Sequence, residues 1–342
     1  MAQGLAELGW DVHTLIPGDP HSLDVELDHC SLPYTVIPRV RWWDTSPVEQ
    51  AHDPQALESL LRRLRPDVTL TQSAVVPQLA IAARGLNIPH VWYLHEFGDI
   101  DHDLVLPSTP RQWGEFVKGH SEAVLANSTA VRNHFFDEAA HVDVVPYSIH
   151  LPQRGLLTTH VGHRIGVVAT LHPGKGQELA IRAVSQLLGT IPDATLHLFG
   201  SGAPREVLRL KRLVSEMSLD STVVFHGFVA DRNAIYRDLD AVLILSRAEA
   251  YGRVADEAAF VGLPTVFLST GGLAERLRHG RDGLEVTSPN PALVASALAA
   301  VLTSEDLRSS LVAGARQRLE AQNDACPAPI RVNAALQSLL AS

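Results

Sequence analysis

Short apolar runs alternate with helix-like segments along the whole chain, and this alternation limits the fold more than any other feature. DVHTLI (11–16), DVTLTQ (67–72), HVWYLH (90–95), AVLAN (123–127) and VDVVPY (142–147) read as strands. RIGVVATL (164–171), ATLHLFG (194–200), STVVFHG (221–227), AVLILS (241–246) and PTVFLS (264–269) read the same way. Between them, PQALESLLRRLRP and GQELAIRAVSQLLGTIP place apolar residues near a 3.6-residue period. Strand–helix alternation predicts parallel sheets covered by helices on both faces. Ten strands are many for one doubly wound sheet, and HLPQRGLLTTHVGH (150–163) is polar, aperiodic and contains Pro and Gly. It reads as a linker between two α/β domains of similar size. The expected domains are 1–155 and 156–325, with 326–342 as a C-terminal helix packing back on the first. A cleft between two such domains is the usual place for a small ligand.

Composition narrows the partners. The chain has 342 residues, 46% hydrophobic and 19% charged, as suits a well-buried globular protein. Its net charge is −10 and it has no long basic run. Nucleic acid is therefore not expected as a partner, because binding its phosphates needs a clustered positive face. Cys30 and Cys326 form neither a metal-ligand spacing nor a disulfide framework, which points to a reducing compartment. No apolar stretch approaches the roughly 20 residues that span a bilayer. The opening residues lack the charged start and apolar block of a signal peptide. The expected location is cytoplasmic, with peripheral contact at the inner membrane surface left open.

The chemistry concentrates in the second half. EAYGRVADE (249–257) places Glu249 and Glu257 on either side of Tyr251-Gly252-Arg253. Gly252 allows a tight turn and close approach to a ligand. The amides that follow, including that of Val254, would form a helix N-terminus suited to a diphosphate, with Arg253 adding charge. Phosphate repels carboxylates, so Glu249 and Glu257 would have to face neutral hydroxyls, which a carboxylate accepts in pairs. From spacing alone, two surface acids at a helix start remain the favoured reading. Neighbouring turns shift that balance. TLHPGKGQELAIRA (170–183) sets Lys175 between Gly174 and Gly176 at the head of a helix, which fits phosphate recognition although it is not a P-loop. FGSGAP adds Gly200 and Gly202, and STGGLAE adds Gly271 and Gly272 before Glu275. Three glycine turns at the C-terminal ends of strands would share one rim, where open α/β sheets bind ligands.

Taken together, these residues resemble the nucleotide-sugar domain of a GT-B glycosyltransferase of family 4, from about Arg164 to Glu285. The motifs are the Glu-x7-Glu pair EAYGRVADE, HPGKGQ, FGSGAP, VVFHGFV, DLDAVLILS and GGLAE. In the first half, HVWYLHEFGDIDHDL and AVLANSTAVRNHF resemble acceptor-domain segments more weakly, and MAQGLAELGWDVHTLIP resembles a first helix and second strand. The resemblance implies two Rossmann-like domains whose parallel sheets face a central cleft, with the first strand and glycine-rich loop of the N-terminal domain absent. Self-association through the exposed sheet is then expected. It also implies retaining, metal-independent transfer of a sugar from a nucleoside-diphosphate sugar, UDP- or GDP-linked, to a glycan or lipid-linked acceptor. No cofactor is expected. By similarity, Glu249 contacts the donor sugar, Glu257 the ribose hydroxyls, and Lys175 the leaving diphosphate. Thr170, Gly174, Gly200, Gly202, Tyr251, Gly252, Arg253 and Val254 complete the donor site. His95 stands where an acceptor-domain histidine reaches the reaction centre; a strand-end histidine satisfied by backbone is an equal reading. Thr170 stands where many relatives carry arginine, so Arg253 is the candidate to compensate.

Other signals carry less. HEFGDIDHD (95–103) is rich in possible metal ligands but departs from the HExxH pattern. Asp99 and Asp101 form a DxD, which belongs to a different fold. REVLRLKRL (205–213) reads as a helix with a solvated face, and Trp42-Trp43 as a sugar platform or a loop anchor. A degenerate protein that binds nucleotide-sugar without transferring it remains the rival to the enzyme.

Overall fold

The computed structural model describes residues 1–18, 27–37, 54–102, 104, 106–148, 162–325 and 327–341. Most of the proposed linker and the Trp42-Trp43 pair lie outside the described residues. The chain divides into two compact units, Met1–Ser148 with Cys326–Ser342, and Ile149–Ala325.

Unit 1 opens with helix α1 (Ala2–Glu7), strand β1 (Thr14–Pro17) and strand β2 (Tyr34–Ile37). Helix α2 (Pro54–Leu64), β3 (Thr69–Thr71), α3 (Gln78–Gly85), β4 (His90–Leu94) and the short α4 (Asp99–His102) follow. Helix α5 (Pro110–Gly119), β5 (Ala123–Ala126), α6 (Thr129–Phe135) and β6 (Asp143–Val144) complete the first stretch. Every residue of β4 is buried, as a continuous apolar strand covered on both faces should be. The parallel strands fall into two sheets, β1-β2 and β3-β4-β5-β6. Strands β1 and β3 are not paired with each other. Instead, Thr14 and Leu15 of β1 and Thr69, Leu70 and Thr71 of β3 all line one cavity of about 790 Å3. Each of these two strands thus has an edge without a ladder partner among the described strands. YTVI, between Pro33 and Pro38 in sequence, is a strand beyond those read from the sequence; it pairs with β1 from Thr14↔Tyr34 to Pro17↔Ile37.

A last helix, α14 (Ala328–Leu340), belongs to this unit although it ends the sequence. Its Val332 and Leu336 share a core with Leu5, Val91, Tyr93 and Leu125. Trp10 Nε1 donates to Asn333 Oδ1 at 2.7 Å, and the Ala328 amide to Ser148 Oγ at 2.7 Å.

Unit 2 contains β7 (Arg164–Val168), a 3-10 turn (Pro173–Lys175), α7 (Gln177–Leu187), β8 (Thr195–Phe199), α8 (Pro204–Glu216) and β9 (Val223–Gly227). Then come α9 (Arg232–Tyr236), β10 (Ala241–Ile244), α10 (Arg253–Val261), β11 (Thr265–Leu268), α11 (Gly272–Arg276) and β12 (Leu284–Val286). Helices α12 (Pro291–Thr303) and α13 (Glu305–Ala325) close the unit. All six strands are parallel in the order β12-β11-β10-β7-β8-β9. Strand β12 was too short for its sequence to announce it. The order runs outward from β7 through β8 and β9, then crosses back to β10 and runs outward the other way. The reversal falls between β7 and β10, and the crevice beyond the carboxyl ends of such a strand pair is where doubly wound sheets bind ligands. Ile165, Val167, Leu196, Leu198, Leu243 and Val266 fill the core on one face, closed by α7, α8 and α12. On the other face Val242, Ile244 and Phe267 pack with α9 and α10.

The basic residues of α8, Arg205, Arg209, Lys211 and Arg212, are all exposed and form the solvated face its sequence suggests. Arg209 pairs with Glu206 at 2.8 Å and Glu178 at 2.6 Å, while Leu208 stays exposed. Among the described residues no helix is long and apolar enough to cross a membrane.

Candidate functional site

The reversal point brings two of the expected residues together. Lys175 leaves the turn after β7, and Glu249 the loop after β10; Lys175 Nζ lies 3.4 Å from Glu249 Oε2. Both are largely enclosed, with 12% and 18% of their side chains exposed, so the pair is worth more than a solvated surface bridge. Two glycines make the approach possible. Gly176 has φ +78°, and a Cβ there would sit 2.4 Å from the Leu245 carbonyl oxygen. Gly252 has φ +88°, and a Cβ would lie 2.3 Å from Leu273 Cδ2. An L-residue at either place would be strained; at 176 it would push the two turns apart, and at 252 it would displace the Leu273 side chain. Thr170, Gly200 and Gly202 sit at the ends of β7 and β8, where Leu171 bridges to Gly202. Gly174 is fixed by its carbonyl, which accepts from the Arg247 amide at 2.8 Å.

Gly252 caps α10, whose nine residues begin at Arg253. The first amides of a helix have no internal partner and carry the positive end of its dipole, so Arg253 and Val254 present donors to an anion. Arg253 itself is exposed. A cavity of about 20 Å3, enough for one water, is lined by Lys175, Glu249, Gly252 and Val254. The backbone of Glu249 is held by the glycine pair downstream, since Gly272 N donates to its carbonyl at 2.7 Å.

Glu257 occupies the opposite side of α10 from solvent, 5% exposed. Tyr236 donates its hydroxyl to Oε2 at 2.5 Å, and Arg232 Nη1 lies 3.7 Å from Oε1. Burial, with the Glu257 charge beside it, raises the Tyr236 phenol well above its ordinary range, so it remains a donor. One hydrogen bond and one ionic neighbour leave a carboxylate with free lone pairs for hydroxyls. Neither Tyr236 nor Arg232 was found from sequence; Arg232 follows the strand-end turn HGFVAD, which is the only hint either offered. Tyr251 also departs from a simple ligand contact. It is 2% exposed, and its ring lies beneath the Arg276 guanidinium at 3.7 Å.

His95 lies in unit 1, at the end of β4. Its ring meets Tyr93 and Tyr147 edge-on at 4.2 and 5.0 Å, and its carbonyl accepts from Asn127 Nδ2 at 2.7 Å. Beside it, Glu96 accepts from Ser73 Oγ at 2.5 Å and from the Ala74 amide at 2.9 Å. Burial pushes the Glu96 carboxyl up to about 7, against those two hydrogen bonds. The DxD residues are committed elsewhere: Asp99 meets His134 at 2.8 Å, and Asp101 accepts from the Phe97 and Gly98 amides. Among the described residues no three side chains of metal-binding type come together.

Glu96 makes stability depend on pH in a stated direction. Its folded pKa of about 7 exceeds the ordinary 4.5, so the folded state holds its proton longer. The stabilisation is present below pH 4.5 and is lost as pH rises through 7, by about 3 kcal/mol at most. Glu96→Gln keeps the acceptor oxygen and removes the titration. Melting curves between pH 4.5 and 7.5 should slope less in the variant; equal slopes would assign the dependence to another group.

Comparison with known proteins places both halves. Residues 1–153 match the family described as Glycosyltransferase Family 4, and residues 162–304 match Glycosyl transferases group 1. The D-inositol 3-phosphate glycosyltransferase of Acidothermus cellulolyticus is 26% identical over 264 residues, covering 69% of this chain and 59% of the relative. That of Corynebacterium jeikeium is 30% identical over 223 residues, 61% of this chain and 51% of the relative. The chain thus spans between half and two thirds of the length of these curated relatives. Among solved structures, Anabaena Alr3699/HepE in complex with UDP and glucose superimposes with a TM-score of 0.79 at 21% identity. That match covers 98% of this chain and 94% of the other, and it shows a shared GT-B fold.

Proposed function

Because the chain belongs to the glycosyltransferases, with a family 4 domain in its first half and a group 1 domain in its second, we propose that it transfers a sugar from a nucleoside-diphosphate sugar. The transfer is retaining and independent of metal, and the acceptor is a sugar, glycan or lipid-linked glycan. The observation that carries this reading is the Lys175–Glu249 pair at 3.4 Å, set across the Gly252 turn at the point where strand order reverses.

The roles follow from charge. Bond cleavage at the sugar's anomeric carbon leaves negative charge on the β-phosphate. Lys175 and the amides at the start of α10 supply fixed positive charge there, which is stronger in the transition state than in the ground state. Glu249 faces the hydroxyls of the transferred sugar, and Glu257 those of the ribose, so each carboxylate meets neutral donors. His95 is the acceptor-side candidate within unit 1. UDP is the first nucleotide to test, since a protein of the same fold has been solved with UDP and glucose.

One observation favours a second reading, binding without transfer. Thr170 is exposed and uncharged where many members of this family carry a cation. Calorimetric titration with UDP, GDP and ADP, followed by an assay for release of diphosphate from the matching sugar donors, separates the two. Binding with release supports transfer. Binding without release, over a panel of acceptors, supports the second reading. No binding by any diphosphate would sink both.

A further inference from the structure

Three charged residues and a glutamine meet beside the Gly252 turn. Asp256, in the first turn of α10, is fully buried. It takes Arg276 Nη2 in a short contact, Arg318 Nη1 at 2.8 Å and Gln322 Nε2 at 3.4 Å. Arg276 comes from α11; Arg318 and Gln322 stand four apart on one face of α13. All three reach into a helix that none of them belongs to.

What they hold is Tyr251, the residue before the turn glycine. Arg276 Nη1 donates to the Tyr251 carbonyl at 2.8 Å, and the same guanidinium covers the ring. Gln322 Nε2 donates to the Tyr251 hydroxyl at 2.8 Å. Tyr251 is therefore gripped at its carbonyl, ring face and hydroxyl. With its carbonyl and ring fixed, the peptide plane that leads into Gly252 has little freedom, and so have the amides of Arg253 and Val254 beyond it.

Stability alone is a poor account of this arrangement. Two guanidinium groups and one carboxylate are almost wholly removed from water, with 11%, 12% and 0% of their side chains exposed. Their desolvation is not recovered by mutual attraction unless every polar atom is satisfied. Arg276 Nε, Arg318 Nε and Arg318 Nη2 have no hydrogen-bond partner among the described residues. Apolar side chains of similar volume would pack the same space at no loss. The polar network does provide one defined geometry, which packing by itself enforces less strictly.

We propose that Arg276, Arg318 and Gln322, gathered on Asp256, are positioning residues that fix the Tyr251–Gly252 turn in the shape that receives the donor's diphosphate. The inference rests on the function proposed above. It adds that residues of α11 and α13 help to set the affinity of this turn.

Gln322→Leu and Tyr251→Phe test it, since each removes one end of the Gln322–Tyr251 hydrogen bond and neither removes a charge; Gln322→Leu also removes the glutamine's contacts with Asp256, Arg276 and Arg318. UDP affinity, donor KM and kcat are measured beside melting temperature. In both variants UDP binding should weaken roughly three- to tenfold, the scale of one hydrogen bond. Donor KM should rise with it, while the melting temperature changes little in Tyr251→Phe and falls further in Gln322→Leu, which also takes an acceptor from Arg276 and Arg318. The double variant should bind no worse than the weaker single, because residues acting through one contact are not additive. Gln322→Glu, with an acceptor but no donor, should bind UDP no better than Gln322→Leu, whereas Gln322→His, which can donate, should lose less. Unchanged UDP affinity in folded variants, or fully additive losses, would overturn the positioning role while leaving the function intact. If the unaltered chain binds none of the nucleotides, the proposed function falls and this role falls with it.

Discussion

Replacing Lys175 with alanine should lower kcat/KM for the nucleotide-sugar about 10²- to 10³-fold, the usual consequence of removing one preorganised donor from a developing negative charge. The expected effect on UDP affinity is smaller, because part of the interaction belongs to the transition state. The substitution also leaves Glu249 without its cation at 3.4 Å, in a site where the carboxylate is 18% exposed. Two controls separate these consequences. Lys175→Arg retains charge but changes its reach in a turn pinned by Gly174 and Gly176, and should recover binding better than turnover. Glu249→Gln removes the partner charge and should leave UDP binding close to unchanged while reducing transfer. A Lys175→Ala variant with turnover within threefold of the unaltered chain would show that the leaving phosphate is stabilised elsewhere, with Arg253 the first alternative.

Glu257→Ala should weaken nucleotide binding about 10- to 150-fold, through loss of one or two charge-assisted hydrogen bonds to ribose. It should also destabilise the fold, since the buried Tyr236 hydroxyl then lacks its acceptor; an orphaned buried donor costs about 1–3 kcal/mol. The pairing predicts a telling comparison. Tyr236→Phe removes the donor and leaves Glu257 beside Arg232 at 3.7 Å. It should change the melting temperature less than Glu257→Ala and weaken UDP only modestly. Equal loss of binding in both would mean that the Tyr236–Glu257 hydrogen bond, rather than the free lone pairs of Glu257, carries the affinity. Titration calorimetry and a thermal melt on the same three samples decide it.

The parts of this site that are local in sequence were legible, and those that depend on distant partners were not. Gly252 and Gly176 announce themselves because a turn before a helix needs them within a few residues of the functional group. The contact between Lys175 and Glu249 spans 74 residues, yet the order of strands and turns was enough to expect both on one rim. Tyr236 offered no such signal: in IYRDLD it reads as an ordinary core aromatic, and its link to Glu257 spans 21 residues. Asp256 was passed over between two more conspicuous positions. Its partners Arg276 and Arg318 look like surface arginines on amphipathic helices until the helices are packed. In the first half, YTVI was hidden between prolines, and no reading of single segments foretold that the strands would divide into two sheets around a cavity.

The return of helix α14 to unit 1 has a consequence for synthesis. Residues 1–148 leave the ribosome ahead of unit 2, but their core includes Val332 and Leu336, which follow unit 2 in the chain. Unit 2 has no such debt to later sequence, since it is continuous and complete once Ala325 has emerged. The usual order, in which the amino-terminal domain is finished first, is therefore inverted. The earlier half must wait, with the edges of β1 and β3 and the seat of α14 uncovered, while the later half closes. A nascent chain stalled with Ala325 just outside the exit tunnel should show a protease-resistant unit 2 and a sensitive unit 1. Release through Leu340 should protect both. A resistant unit 1 in the stalled chain would mean that the thirteen residues of α14 decorate a finished fold rather than complete it.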